Sequence, residues 1–293
     1  MTSSLDYKYV YYLLDLQHSH FTFDYTYKAH PSVIIDRYQI YDMPLPEQRR
    51  IAEILDAADE AIRQTERLIA KLKAVRDGLL HDLLTRGLDE HGRLRDPQTH
   101  PEQFKDSPLG RIPTEWEVSR VNEICILGRG RVISQVDLDQ NPGPYPVYSS
   151  QSKDEGVFGY LNTFDFDGEY VTWTTDGAYA GTVFYRCGRF SCTNVCGTLQ
   201  AKSHDLSMRY LASALSTRTG KYVSYVGNPK LMNSVMAKIP VPLPSYSEQK
   251  AIAAVLDTHD TRIRAEEAGL VKLRHVKRGL MDDLLTGKVR VQV

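Results

Sequence analysis

The residue types that most often do chemistry are sparse in this 293-residue chain and do not lie at catalytic or metal-binding spacings. Of the four cysteines, Cys187, Cys192 and Cys196 have four and three residues between them, and Cys125 is distant. A structural zinc site usually needs a second close pair of ligands, so we interpret the cysteines as free thiols. The nine histidines show no H-E-x-x-H spacing, and no glycine loop precedes Thr286-Gly287-Lys288. We predict no catalytic residue, no metal ion and no cofactor.

One loop, Asn141-Pro142-Gly143-Pro144-Tyr145, resembles the Asn-Pro-Pro-Tyr loop of amino-group DNA methyltransferases. In that family the asparagine and a proline carbonyl accept hydrogen bonds from the target amine, and the aromatic ring stacks on a flipped base. Here Gly143 separates the two prolines and would displace the tyrosine. We therefore interpret residues 141–145 as a turn.

Composition limits the classes of function. Lys and Arg total 36 and Asp and Glu total 37, so the net charge of −1 excludes a protein that holds nucleic acid by bulk charge alone. A local basic face remains open, because residues 186–238 contain eight basic residues and a single acidic one; a solvated basic surface is the alternative. No apolar run approaches the ~18 residues of a membrane span, and residues 1–6 do not resemble a signal peptide. We expect a cytoplasmic protein that does not bind membranes.

The chain contains an internal repeat. Residues 47–85 align without a gap with residues 248–286, at an offset of 201, and 19 of the 39 positions are identical. Tyr9 and Leu14 match Tyr210 and Leu215 at the same offset, and Pro44-Leu45-Pro46 corresponds to Pro242-Leu243-Pro244. Residues 1–43 therefore resemble the end of the segment that precedes the second helix, and the first copy has lost its beginning.

Both repeated segments are predicted to be long helices. Apolar residues step by four and three along each segment, which is the heptad pattern of a coiled coil. Each helix would be roughly 55–60 Å long and needs a partner for its narrow apolar stripe; the other copy is the obvious one. Two amphipathic helices packed separately on a domain are the alternative. The predicted interface consists of Ile51, Leu55, Ile62, Ile69, Leu72, Ile252, Leu256, Ile263, Leu270 and Leu273.

The fold class that follows is α+β, with one mixed α/β domain and two long helices forming an antiparallel coiled coil. The middle domain contains short β-rich stretches interrupted by glycine, at 168–175, 181–185 and 197–200, and a helix near Ser207–Thr217. The predicted segments are 1–43 (remnant of a first domain), 44–86 (first helix), 87–112 (polar linker), 113–241 (complete domain) and 242–293 (second helix and tail).

Four stretches resemble the specificity subunit of type I restriction-modification systems. Residues 109–116, Leu-Gly-Arg-Ile-Pro-Thr-Glu-Trp, look like the lead-in to a target-recognition domain, and residues 145–148 with 176–183 are similar to its interior. Pro242-Leu243-Pro244 with Glu248-Gln249 resembles the entry to a spacer helix, and residues 284–291 resemble its exit. Together with the repeat, the resemblance covers most of residues 44–293.

The resemblance implies a non-catalytic subunit that reads double-stranded DNA. In the family, two recognition domains each read one half of a split sequence, and two antiparallel helices set the gap and dock two methylation subunits; a motor/nuclease subunit completes the enzyme. This chain has one complete recognition domain, so it would read one half-site. We expect that it either forms a homodimer or pairs with a complementing partial specificity chain; an intramolecular helix pair in a monomer is the alternative.

DNA-reading residues are expected among polar side chains on loops, flanked by cations for phosphate contacts. The same residue types also favour turns for conformational reasons alone. The predicted DNA-binding residues are Ser150, Gln151, Lys153, Thr174, Thr175, Asp176, Tyr179, Asn194, Asn228 and Lys230.

Three other functions fit parts of the pattern. A coiled-coil adaptor would bind protein without DNA, and a specificity subunit of a fused nuclease/methyltransferase system would have similar recognition domains. A standalone methyltransferase would bind S-adenosylmethionine.

Overall fold

The computed structural model describes residues 5–20, 38–41, 43–150 and 153–292. The chain divides into two compact units, one formed by residues 1–75 with 259–293 and the other by residues 76–258. Each of the two long helices contributes residues to both units. Among the described residues, no helix is both long and apolar enough to cross a membrane.

The helices are α1 (Tyr7–His18), α2 (Leu45–Thr85), α3 (Val121–Ile124), α4 (Gln135–Gln140), α5 (Met208–Ser216), α6 (Asn233–Met236) and α7 (Tyr246–Leu284). The strands are β1 (Phe104–Ser107), β2 (Gly110–Pro113), β3 (Glu117–Arg120), β4 (Cys125–Arg129), β5 (Tyr145–Tyr148), β6 (Val157–Leu161), β7 (Phe166–Thr174), β8 (Val183–Cys192), β9 (Cys196–Ala201) and β10 (Pro240–Leu243).

In the first unit, α2 and α7 pack antiparallel. Ion pairs between the helices join Lys73 to Glu267 (2.6 Å), Glu66 to Arg274 (2.7 Å) and Asp59 to Lys277 (2.6 Å), so positions ascend on one helix as they descend on the other. None of the predicted interface residues of this unit is fully exposed. Five of them are buried and three are half-buried: Ile51, Leu55, Ile69, Leu72 and Ile263 in the first group, and Ile62, Leu270 and Leu273 in the second. The antiparallel coiled coil within one chain is confirmed.

Helix α1 completes the core of the first unit. Its buried Tyr9, Leu13 and Leu16 pack with Ile51 and Leu55 of α2, and Met281, Leu284 and Leu285 at the end of α7 close the cluster. Asp6 caps α1 by accepting hydrogen bonds from the backbone N–H groups of residues 8 and 9, which satisfies donors that a helix start leaves open.

The second unit contains a six-stranded sheet of order β4-β9-β7-β8-β5-β6, in which only the β5–β8 pair is parallel. The unit also contains two two-stranded sheets, β1–β2 and β3–β10. The largest buried side chains are Trp116 and Trp173, and α5 packs against β7 and β8. Ile252 and Leu256 of α7 join the same core with the last turns of α2.

Strands β7 and β8 must bend. At one end of β7, Phe166 pairs with Phe190 of β8, and at the other end Thr174 pairs with Cys196 of β9. A straight β7 would hold these two partners about 26 Å apart, which is too far for the six residue steps from Phe190 to Cys196 to bridge. Gly168 and Gly188 pair with each other and have φ of +114° and +90°, a conformation that side chains with a Cβ avoid. The glycine pair lets the hairpin curl and brings the β8–β9 turn back over the sheet.

The repeat in the sequence is also a repeat of contacts. Gln48 accepts a hydrogen bond from the backbone N–H of Asp6 (2.8 Å), and Gln249 accepts one from Ser207 (2.9 Å), both at the offset of 201. Lys8 pairs with Asp56 as Arg209 pairs with Asp257. Helix α1 is therefore the counterpart of α5, which supports the interpretation of residues 1–43 as the end of a first domain.

The same contacts correct one alignment. The hydroxyl groups of Tyr9 and Tyr210 donate to the carbonyls of Tyr41 and Pro242, so residues 41–43 correspond to Pro242-Leu243-Pro244. Pairing Pro44-Leu45-Pro46 with that motif was wrong, because both helices begin at equivalent positions, Leu45 and Tyr246, with no gap upstream.

The strands predicted at 168–175, 181–185 and 197–200 correspond to β7, β8 and β9, and the helix predicted near Ser207–Thr217 is α5. The stretch predicted as a polar linker, 87–112, contains β1 and most of β2. Pro242 and Leu243 belong to β10, which pairs with β3. Pro242 and Leu243 therefore belong to the last strand before α7 and not to the helix.

Candidate nucleic-acid interface

Five loops of the second unit are tied together by hydrogen bonds. They are residues 129–131, 149–150, 175–182, 193–195 and 224–230, which we call the loop surface. The backbone N–H of Arg131 donates to Cys192 (3.2 Å) and that of Thr193 to Tyr148 (2.8 Å). The N–H of Thr175 donates to Val195 (2.9 Å), and that of Gly177 to Pro229 (3.0 Å). The five loops thus form one continuous surface.

Gly130 shows how closely these loops approach. A Cβ built there would lie 2.1 Å from the carbonyl oxygen of Cys192 and 2.4 Å from that of Thr193. Only glycine fits, since neither contact is with a flexible side-chain end.

Two cations and one carboxylate lie at the centre of the loop surface. Asp176 is 3.6 Å from Arg129 and 3.7 Å from Lys230, and its other contact is the hydroxyl of Thr175, which donates to it (2.7 Å). Arg129 also donates to the carbonyl of Asn194 (2.5 Å). These ion-pair distances exceed the 2.7–2.9 Å of a tight charge-assisted hydrogen bond, so both cations keep donors free for another anion.

A second polar group adjoins the first. The Nε–H of Arg131 donates a bifurcated hydrogen bond to both carboxylate oxygens of Asp165 (3.0 and 3.1 Å), and Thr193 donates its hydroxyl to Ser149 (2.9 Å). Ser150 follows Ser149 and is half-buried.

The structure places seven of the ten predicted DNA-binding residues within the loop surface: Ser150, Thr175, Asp176, Tyr179, Asn194, Asn228 and Lys230. Thr175 and Thr174, the last residue of β7, are buried, so their side chains present no surface to a ligand in this conformation. Gln151 lies outside the described residues, as does the side chain of Lys153.

Sequence reasoning missed Arg129 and Arg131. Both lie in Gly128-Arg129-Gly130-Arg131, at and just after the end of β4, outside the predicted DNA-binding residues. Cations alternating with glycines at a strand end were the available signal, because glycine lets the backbone approach a ligand while arginine pairs with phosphate.

The basic stretch 186–238 does not form one cationic face. Arg186 is buried between the rings of Tyr148 and Phe184, with its guanidinium carbon 3.5 and 4.4 Å from their centroids. It donates to the carbonyl of Glu155 (2.5 Å), and burial lowers the pKa of this guanidinium. Arg186 therefore fixes the segment that follows β5, while Arg209 is held by Asp257.

The cysteines are placed as free thiols. Cys125, Cys192 and Cys196 are buried and Cys187 is exposed. Burial raises the pKa of Cys125 to about 12 and that of Cys196 to about 11, so these thiols are protonated at neutral pH. Within the described part of the chain, no group of three or more His, Cys, Asp or Glu could hold a metal ion.

Residues 113–274 match the profile of the type I restriction modification DNA specificity domain, which is more than half of the chain. A putative type I specificity subunit of Mycoplasma pneumoniae, S.MpnORF201P, is 35% identical over 214 residues, which cover 73% of this chain and 79% of that one. The S.MpnORF289P N-terminus of the same organism is 46% identical over 140 residues, covering 47% and 75%. The specificity subunit of the type I restriction enzyme MpnII, also from that organism, is 38% identical over 163 residues, covering 55% of this chain and 48% of its own. This chain thus spans about half the length of some relatives and three quarters of others.

The fold is similar to that of solved structures. The crystal structure of the S subunit of a type I restriction-modification system from M. genitalium superposes with a TM-score of 0.64 at 18% identity, over 96% of this chain and 72% of that one. The adaptor and standalone methyltransferase interpretations are not favoured by these relationships. The chain belongs to the specificity subunits of type I restriction-modification systems, the non-catalytic subunits that give such systems their DNA sequence specificity.

Proposed function

We propose that the loop surface reads one half of a split target in double-stranded DNA. The observation that carries this proposal is the convergence of Arg129, Asp176, Asn194 and Lys230 from four separate loops. Exposed cations supply phosphate contacts, and amide or carboxylate groups beside them can pair with base edges in the major groove. The exposed ring of Tyr179 adds apolar contact area at the same place.

Asp176 has a specific part in this arrangement. It holds Arg129 and Lys230 loosely in the free protein, and phosphates would take over these cations when DNA binds. Asp176→Asn should therefore strengthen binding to DNA of arbitrary sequence while weakening discrimination between sequences.

The test is the salt dependence of DNA affinity. Arg129→Ala and Lys230→Ala should each weaken binding and flatten the slope of log K against log salt by about 0.9, the value for one lost phosphate contact. Lys202→Ala is the matched control. Lys202 follows the far end of β9, where Ala201 pairs with Cys125, whereas Arg129 pairs with Gly197 at the near end. An unchanged slope in both loop variants would remove the loop surface from the interface.

We propose that the two helices dock methylation subunits, with a motor/nuclease subunit joining the complex in the cytoplasm. Val75 and Val276 support this proposal, because they occupy equivalent positions of the repeat and both are exposed, one on α2 and the other on α7. Two equivalent apolar positions fit two copies of one partner.

Co-expression with the neighbouring methylation subunit, followed by light scattering, tests this docking. Val75→Asp and Val276→Asp should each lower the mass of the complex by one methylation subunit. The mass of the unaltered complex also shows whether the partner is a single methylation subunit or a fused nuclease/methyltransferase chain. No complex at all would contradict the proposal.

A second specificity chain, either another copy or a complementing fragment, completes the split site.

A further inference from the structure

One hairpin of the loop surface, residues 224–230, is fixed at its base. The backbone N–H groups of Ser224 and Lys230 each donate to the carbonyl of the other residue (2.8 and 2.9 Å), which closes a short antiparallel pair. The flanking residues Val223 and Leu231 are buried in the core of the unit. The core therefore determines where the tip of the hairpin lies.

The tip of this hairpin is apolar. Tyr225 is 73% exposed and Val226 is 92% exposed, and Gly227 makes the turn with a φ of +75°. Turns usually carry Ser, Asn, Asp and Gly. A single exposed apolar residue is ordinary on a protein surface. Here two adjacent ones lie on a hairpin with a fixed base, so they stay exposed until a ligand covers them.

The surroundings of the tip are cationic. Residues 206–247 contain no Asp or Glu, and Lys221 just before the hairpin is exposed. Lys230 is half-exposed at the hairpin base and lies 3.7 Å from Asp176, which is too far for a tight charge-assisted hydrogen bond. An apolar tip flanked by cations fits a ligand that carries an apolar group within a polyanion, and duplex DNA is such a ligand.

We propose that Val226 contacts the 5-methyl group of a thymine in the major groove, with Tyr225 beside it and Lys230 on a neighbouring phosphate. Among the four bases only thymine presents a methyl group there, so the contact specifies that base. Asn228 of the same hairpin is exposed and carries the amide that pairs with adenine in this groove, which supports a major-groove contact. The inference rests on the proposed function and adds that the half-site contains a thymine.

The test replaces thymine by deoxyuridine, which removes the methyl group alone. Duplexes that the full chain binds are selected from a random library, and each thymine of the selected site is then replaced in turn. At one position the replacement should weaken binding about fourfold, the factor for burying one methyl group. In Val226→Ser the same replacement should have no effect, and Val226→Ile, which keeps an apolar side chain, should restore the effect. Val226 holds no phosphate, so the slope of log K against log salt should stay at the wild-type value in both variants.

Val136→Ser is the matched control. Val136 is 58% exposed on α4 beside Asp137 and Asp139, outside the loop surface, so this variant should keep the full deoxyuridine effect. Both valines are exposed, so the serine variants should fold.

Three results would overturn the inference: a selected site in which no thymine methyl matters, an equal deoxyuridine effect in wild type and Val226→Ser, or loss of a protein partner from Val226→Ser with unaltered DNA binding. The third result would assign the tip to a protein contact. Failure of the wild-type chain to select any DNA would refute the proposed function and the inference with it, whereas the first two results would leave the proposed function intact.

Discussion

Glu47 and Glu248 occupy the same position of the repeat but have different surroundings. Glu248 accepts hydrogen bonds from the guanidinium of Arg95 (2.6 and 3.3 Å), the backbone N–H of Leu88 (2.7 Å) and the indole N–H of Trp116 (3.1 Å). The side chains of Glu248 and Arg95 are 9% and 10% exposed. Glu47 instead accepts from Arg290, whose side chain is 66% exposed.

We predict that Glu248→Ala destabilises the protein far more than Glu47→Ala. Removing one partner of a buried ion pair leaves the other charge without compensation and costs about 3–5 kcal/mol in unfolding free energy. After Glu248→Ala, the buried Arg95 retains one carboxylate, that of the exposed Glu115 at 3.6 Å, and the carbonyl of Arg86 at 3.4 Å. After Glu47→Ala, the guanidinium of Arg290 can hydrate, so the cost should be about 1 kcal/mol.

Tryptophan fluorescence during urea unfolding is the assay. Both tryptophans, Trp116 and Trp173, belong to the second unit, as does Glu248, whereas Glu47 belongs to the first. The helical circular dichroism signal, to which helices of both units contribute, is therefore recorded beside the fluorescence and reports the effect of Glu47→Ala. With a slope near 2 kcal/mol per molar urea, Glu248→Ala should lower the midpoint by about 2 M and Glu47→Ala by about 0.5 M or less. Glu115→Ala is the control for an exposed carboxylate. Equal shifts for the two repeat positions would refute the argument that partner burial sets the cost.

Three further predictions concern single side chains. In the native protein one thiol, that of the exposed Cys187, should react with a thiol reagent, and the buried thiols, including Cys196 with its pKa raised to about 11, should react only after unfolding; Cys187→Ser should abolish native labelling. Gly130→Ala should lower stability by at least ~1 kcal/mol and weaken DNA binding, because the loops must move apart; wild-type values in urea unfolding and DNA titration would contradict this. The hydrogen bond from Arg290 lowers the pKa of Glu47, so its stabilisation is complete above the unfolded value of about 4.3 and is lost as the pH falls through the lower folded pKa. The difference in melting temperature between wild type and Glu47→Gln should therefore shrink from pH 6 to pH 3, and a constant difference would exclude the ionised pair as its cause.

The first long helix could be predicted almost to the residue, as 44–86 against Leu45–Thr85, whereas the second, predicted with its tail as 242–293, is Tyr246–Leu284. Their apolar period is encoded by residues three and four apart, and the repeat identifies the partner helix without any knowledge of the fold. The Pro-Leu-Pro motifs did not mark equivalent helix starts. The second Pro-Leu-Pro motif, which looks like a helix entry, is part of strand β10 and aligns with residues 41–43.

The loop surface could be predicted only in part. Turn composition identified Asp176, Asn194 and Lys230, but the same reasoning selected Thr174 and Thr175, which are buried. Burial at a strand end depends on what covers it, here Val195 and Leu231, whose backbone groups hydrogen-bond to Thr175. Neither neighbour is local in sequence.

By itself the sequence determined the repeat, the two helices, the absence of a recognisable catalytic set and the family resemblance, because each is written in short-range spacing or in residue identity. Only the tertiary structure decided which loops meet. Arg129 and Asp176 are distant in sequence and come together because β9 lies between β4 and β7, a strand order that local propensity does not encode. Only the structure, too, revealed that Lys8 and Tyr9 of α1 make the contacts that Arg209 and Tyr210 make on α5, since a contact is a property of neighbours rather than of the residue.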